Sequence, residues 1–118
     1  MRILGDLESE VMKIVWRKQA PIAVREVAEK LRKKREIAYT TVMTIMGRLV
    51  KKGLLTRKLQ GISYLYETRV TRDKFIANTV HGIFTSTVSA LGSASAAYFI
   101  KEIQKLPSKK RRELIKIL

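Results

Sequence analysis

Thr40, Thr41, Thr44, Arg48 and Lys51 recur at helical spacing on the side of a segment opposite its apolar stripe. Such a set binds; it does not make or break bonds. Short hydroxyl side chains at the start of a helix approach phosphates and base edges closely. Arg48, about two turns further on, is long enough to reach either a guanine edge or a phosphate. Lys52, Arg57 and Lys58 extend the positive surface into the next segment. Tyr64 and Tyr66 alternate with Leu65, so both fall on one face of a strand; one is expected to pack, and Tyr64 is the candidate for a phosphate hydrogen bond.

The distribution of charge supports the same partner. The 118-residue chain carries a formal +15, a balance that points to a polyanion: DNA, RNA or an anionic membrane surface. Between Ile37 and Tyr66 stand five cations and neither Asp nor Glu. Earlier segments mix Glu8, Glu10, Glu26 and Glu29 among their cations, as solvated helix faces do. Here cations stand without acid where phosphate would be met, so double-stranded DNA is the expected partner.

Other chemistries find little here. With no cysteine, disulfides, thiolate metal sites and cysteine nucleophiles are excluded, which fits a reducing compartment. His81 is the only histidine and has no carboxylate or second ligand three or four residues away, so it reads as structural and no metal is expected. Without an acid near that histidine there is no triad, and there is no glycine-rich phosphate loop. No enzyme, cofactor or small-molecule ligand is expected. The N-terminus lacks the order of a signal peptide, and a cytoplasmic location is expected.

The elements that must position these residues follow from periodicity. Leu7, Val11, Ile14 and Val15 form one helical stripe, ended by Pro21 and an extended Ile22-Ala23. Val24, Val27, Ala28 and Leu31 form a second, which runs into Arg32-Lys33-Lys34-Arg35. Val42, Ile45, Met46 and Leu49 form the third, closed by Gly53. The period then shortens: Leu55–Gln60 and Ile62–Tyr66 read as the strands of a hairpin turning at Gly61. Trp16, at the end of an amphipathic helix, reads as core. The fold class is mainly α with a small β-hairpin wing: a winged helix-turn-helix over residues 1–70, followed by a helical dimerisation region over 71–118.

That second region opens at Thr71 and Asp73, breaks at Gly92 and again at Pro107, and ends in a short basic helix. Ile76, Val80, Ile83, Phe84 and Val88, then Phe99, Ile100 and Ile103, are the expected homodimer contacts. Phe75–Ile100 carries no Lys, Arg, Asp or Glu, which raises membrane association as the other reading. Its hydroxyl residues, His81 and small residues from Gly92 to Ala97 favour a tightly packed dimer core instead.

Several runs resemble the penicillinase-repressor family. Leu7-Glu8-Ser9-Glu10-Val11-Met12-Lys13-Ile14-Val15-Trp16 is similar to that family's opening helix, and Tyr39-Thr40-Thr41-Val42 with Arg48-Leu49-Val50-Lys51-Lys52-Gly53-Leu54-Leu55 to its recognition helix and exit. Tyr64-Leu65-Tyr66 and Val70-Thr71-Arg72-Asp73 resemble the wing's second strand and the entry to the next helix. The likeness is specific from about Leu4 to Phe75 and weak beyond. It implies a homodimeric repressor on a pseudo-palindromic operator, contacting DNA through Thr40, Thr41, Thr44, Arg48 and Lys51, with Arg57, Lys58 and Tyr64 on the wing. Ile62 departs from the pattern, standing where the family often has arginine. The family's cleavage site is an Asn-Phe bond, whereas the only asparagine here, Asn78, precedes Thr79. A cysteine-based copper switch, as in copper-responsive relatives, is excluded. The competing function class is a basic winged-helix adaptor for RNA or a protein partner, or a membrane-associated regulator.

Overall fold

The structure, a computed structural model, describes residues 4–118; residues 1–3, where the expected first domain begins, lie outside the described residues. The elements run α1 (Asp6–Lys18), β1 (Ile22–Ala23), α2 (Val24–Arg32), α3 (Tyr39–Lys51), β2 (Leu55–Gln60), β3 (Ser63–Thr68), α4 (Arg72–Leu91), α5 (Ala94–Gln104) and α6 (Ser108–Ile115). The chain is mostly helical with one small antiparallel sheet in the order β1-β3-β2. It divides into two compact units, one ending at Ile76 and one spanning Ala77–Leu118.

In the first unit three helical stripes close on one core. Val11, Met12 and Val15 come from α1, Val24, Val27, Ala28 and Leu31 from α2, and Val42, Ile45, Met46 and Leu49 from α3. The sheet adds Ile22, Leu55 and Tyr66. α1 carries Asp6 and Glu8 in its first turn and Arg17 and Lys18 in its last, complementing the helix dipole at both ends. Trp16 packs against the core, its indole N–H donating to the Val70 carbonyl at 2.9 Å and its ring 5.6 Å from Phe75. That is the core role expected of it.

α1 ends at Gln19 in the left-handed region, with φ 55° and ψ 31°. A side chain with a Cβ carries a steric cost there that glycine avoids, about 1–2 kcal/mol. Gln19→Gly is therefore expected to stabilise the fold by about 1 kcal/mol, offset in part by the freer unfolded chain. Thermal denaturation checks this; a lower melting temperature would contradict it.

The hairpin differs from expectation at its second strand. β3 runs Ser63–Thr68 rather than Ile62–Tyr66, pairing Gln60 with Ser63 and Leu55 with Thr68. Gly61, at φ +64°, is the first residue of a two-residue turn, a position that favours glycine; Ile62 is the second and belongs to the turn. At the other end Glu67 and Thr68 are polar but still paired. The extended Ile22-Ala23 pairs with Tyr66 and Leu65, making a third strand.

Thr71 caps α4, its Oγ1 accepting from the Lys74 N–H at 3.1 Å. Gly92 breaks the helical run as expected, at φ +94°. In the second unit the Phe84 and Phe99 rings lie 5.4 Å apart and the Ser95 hydroxyl donates to the Thr87 carbonyl at 3.4 Å. The break divides the uncharged stretch, and among the described residues no helix is long and apolar enough to cross a membrane. No group of His, Cys, Asp and Glu among them could hold a metal ion.

Candidate nucleic-acid interface

α3 is held by its apolar stripe, so its opposite side is fixed outward. Thr40, Thr44, Gly47 and Lys51 are spaced i, i+4, i+7 and i+11 and follow one line along that side, flanked by Thr41 and Arg48. All five of the expected α3 contacts are exposed. The Thr44 hydroxyl donates to the Thr40 carbonyl at 3.0 Å. The helix starts at Ala38 without a side-chain cap and has no acid in its first turn, which leaves its amide groups open to an anion.

Two residues on this surface escaped the sequence reading. Met43 is 43 % exposed, and Gly47 has no atom within 4 Å of where a Cβ would stand. Their residue types hid them: methionine suggests core and glycine suggests nothing. Their spacing, one turn from Tyr39 or Thr40 and from Lys51, was the available signal.

On the wing, cross-strand pairing sorts the expected contacts by face. Arg57 pairs with Tyr66 and Leu59 with Tyr64, so these four share a face. Arg57 lies 4.5 Å from the Tyr64 ring centroid, a cation over an aromatic face. Its hydrogen bond with Tyr66 raises its pKa further above the ordinary arginine value, so it is a permanent cation. Lys58 pairs with Leu65 and points to the other face. The two cations are neighbours in sequence yet address opposite sides of the wing. Tyr66 is buried and Tyr64 is exposed, so Tyr66 is the tyrosine of the pair that packs.

Lys52 sits differently. Its ammonium donates to both oxygens of Glu8, at 2.7 and 2.8 Å, tying the end of α3 to the start of α1. The Glu8 carboxylate also accepts from the Gly5 N–H at 3.1 Å. The Lys52 hydrogen bond holds its carboxyl below the ordinary value of 4.5, against the opposing effect of partial burial. A group depressed in the folded state contributes stability above its unfolded pKa and loses it as pH falls through the folded one. Glu8→Gln is therefore expected to lower stability at neutral pH and to flatten the decline below about pH 4.5. Melting temperature measured against pH checks this; parallel curves for the two proteins would contradict it.

A three-helix core with its third helix outward, followed by a hairpin whose first strand carries Arg57 and Lys58 and no acid, defines a winged-helix DNA-binding domain. Comparison with known proteins agrees. Residues 4–118 match the family model described as penicillinase repressor. The chain is 35% identical over 101 residues to the transcriptional regulator BlaI of Mycobacterium tuberculosis, covering 85% of this chain and 73% of that protein. It is 28% identical over 115 residues to a penicillinase repressor of Bacillus licheniformis, covering 98% and 88%. Its fold is similar to the solution structure of the DNA-binding domain of the repressor BlaI, at TM-score 0.53 and 32% identity over 60% of this chain and 85% of that one. It is also similar to monomeric Bacillus licheniformis BlaI in complex with the blaP half-operator, at TM-score 0.51 and 30% identity over 62% and 88%. The chain belongs to the penicillinase-repressor family of transcriptional regulators.

Proposed function

We propose that this chain represses transcription as a homodimer whose two α3 helices enter successive major grooves of a pseudo-palindromic operator, with the wings beside them. The observation that carries the reading is the acid-free, outward-facing surface of α3, continued by the cations Arg57 and Lys58 of β2, on a chain with a formal +15. Thr40, Thr41 and Thr44 line the helix start, Arg48 and Lys51 reach base edges or phosphates, and Arg57, Lys58 and Tyr64 contact backbone from the wing. Lys52 serves the interface indirectly, by fixing α3 against α1. The relative in complex with a half-operator supports duplex DNA as the ligand class. The protein acts by occupancy in the cytoplasm; catalysis has no part in it. Binding is expected to weaken steeply with salt, by about 0.9 in the logarithmic slope per neutralised phosphate. A gel shift on a duplex selected from a random library, with RNA as competitor, tests the reading: RNA competing as well as the selected duplex would sink it.

The dimer rests on the second unit. Val80, Phe84, Ile100 and Ile103 are exposed there, and Ile76 is exposed on α4 just before it, while Ile83, Val88 and Phe99 are half-buried. So much uncovered apolar surface on helices marks an association face. Ile100→Asp with Ile103→Asp is expected to give a monomer by sedimentation equilibrium and to cost the selected operator most of its bivalent advantage, on the order of 100-fold. A variant that still sediments as a dimer would remove these residues from the interface.

A further inference from the structure

Gly47 stands in the middle of the outward line of α3, with Met43 and Thr44 one turn before it, Lys51 one turn after and Arg48 beside it. Glycine is among the least favourable residues for a helix interior. Nothing among the described residues calls for it. Its φ is not among the positive ones, and a Cβ built on it meets no atom within 4 Å. The helix therefore presents bare backbone at the centre of the surface proposed to face DNA. Beside that gap lies an apolar side chain where the rest of the face offers hydroxyls and cations: Met43 is 43 % exposed, while Val42 and Met46 fill the core side. The Thr44 hydroxyl is turned onto the Thr40 carbonyl, so its donor is already engaged.

Among the four bases, only thymine presents a methyl group in the major groove. We propose that Gly47 is a specificity-determining residue: its bare backbone admits the 5-methyl group of an operator thymine, which packs against Met43. A Cβ at position 47 would occupy the space the methyl needs and hold the helix off the base. The inference rests on α3 being the groove-reading helix and names the chemistry read at its centre.

The test uses the full chain and its selected operator. Gly47→Ala is expected to raise the melting temperature by roughly 4 °C, as a better helix former. It is expected to weaken operator binding about tenfold, and to weaken non-specific duplex binding by less than that. Replacing thymines one at a time by deoxyuridine, which lacks only the methyl, should weaken the wild type about fivefold at one position per half-site. Neither Gly47→Ala nor Met43→Ala should respond to that replacement. The inference is overturned if Gly47→Ala binds the operator as the wild type does, if its melting temperature falls, or if no thymine distinguishes the wild type from both variants. Arg48→Ala with Lys51→Ala separates the two levels of failure. If that variant loses the operator while Gly47→Ala does not, only the thymine inference fails; if both keep it, the groove-reading role of α3 fails as well.

Discussion

Arg48→Ala combined with Lys51→Ala is expected to weaken binding to the selected operator by about 2–6 kcal/mol, two contacts at about 1–3 kcal/mol each. Lys51 lies on the central line of the outward face of α3 and Arg48 on its flank, both in solvent and neither in an ion pair among those observed. Removing them therefore leaves the core intact, and the melting temperature should stay within about 2 °C of the wild type, as for surface substitutions generally. The loss on the operator should exceed the loss on non-specific duplex, because a base-edge contact carries sequence information and a phosphate contact does not. The slope of affinity against salt should also fall, by about 0.9 for each of the two side chains that sits on a phosphate in the complex. Fluorescence anisotropy with both duplexes over a salt series measures all of this. An operator affinity within about threefold of the wild type would remove these side chains from the interface.

The largest stability effect is expected at Tyr66. Its side chain is 1 % exposed, and it pairs across the sheet with Ile22 on one side and Arg57 on the other. Its ring meets Tyr64 edge-on at 6.4 Å. Tyr66 thus joins all three strands to the helical core and lies across the sheet from the wing cation Arg57. Tyr66→Ala is expected to cost about 3–5 kcal/mol, as large-to-small core changes do. That is a large share of the total for a small domain, which lies toward the low end of about 5–15 kcal/mol. Tyr66→Phe keeps the packing and removes only the hydroxyl, so about 0.5–1.5 kcal/mol is expected. Urea denaturation of the two variants checks the order; equal midpoints for Tyr66→Ala and the wild type would contradict the placement of this side chain.

What the chain reveals before folding depends on the range of the interaction. The apolar stripes of α1, α2 and α3 are periodic and local, so the core residues Val11, Val15, Val27, Leu31, Val42 and Leu49 are legible directly, and with them the outward side of α3. Gly61 and Gly92 mark a turn and a break because both need positive φ. The register of β3 was less legible. Ile62 looks like strand by type, yet the tight turn claims it, and Glu67 and Thr68 look like exit, yet they pair with β2. The third strand could not be foreseen, since Ile22 and Ala23 find Tyr66 and Leu65 across more than forty residues. The same holds for Lys52, whose partner Glu8 stands at the start of the chain. The opposite facing of Arg57 and Lys58 was available from strand alternation, and the exposure of Met43 from helical spacing; in both cases residue type outweighed position.

The central proposal is that paired α3 helices of this family member read the major groove of duplex DNA. Methylation interference on the selected operator tests it most directly, because methyl groups at guanine N7 block the major groove and those at adenine N3 the minor groove. Interference is expected at guanine N7 in two patches whose centres lie about 10 base pairs apart, or a multiple of that, related by the operator's dyad. A single patch, or interference confined to adenine N3, would contradict it.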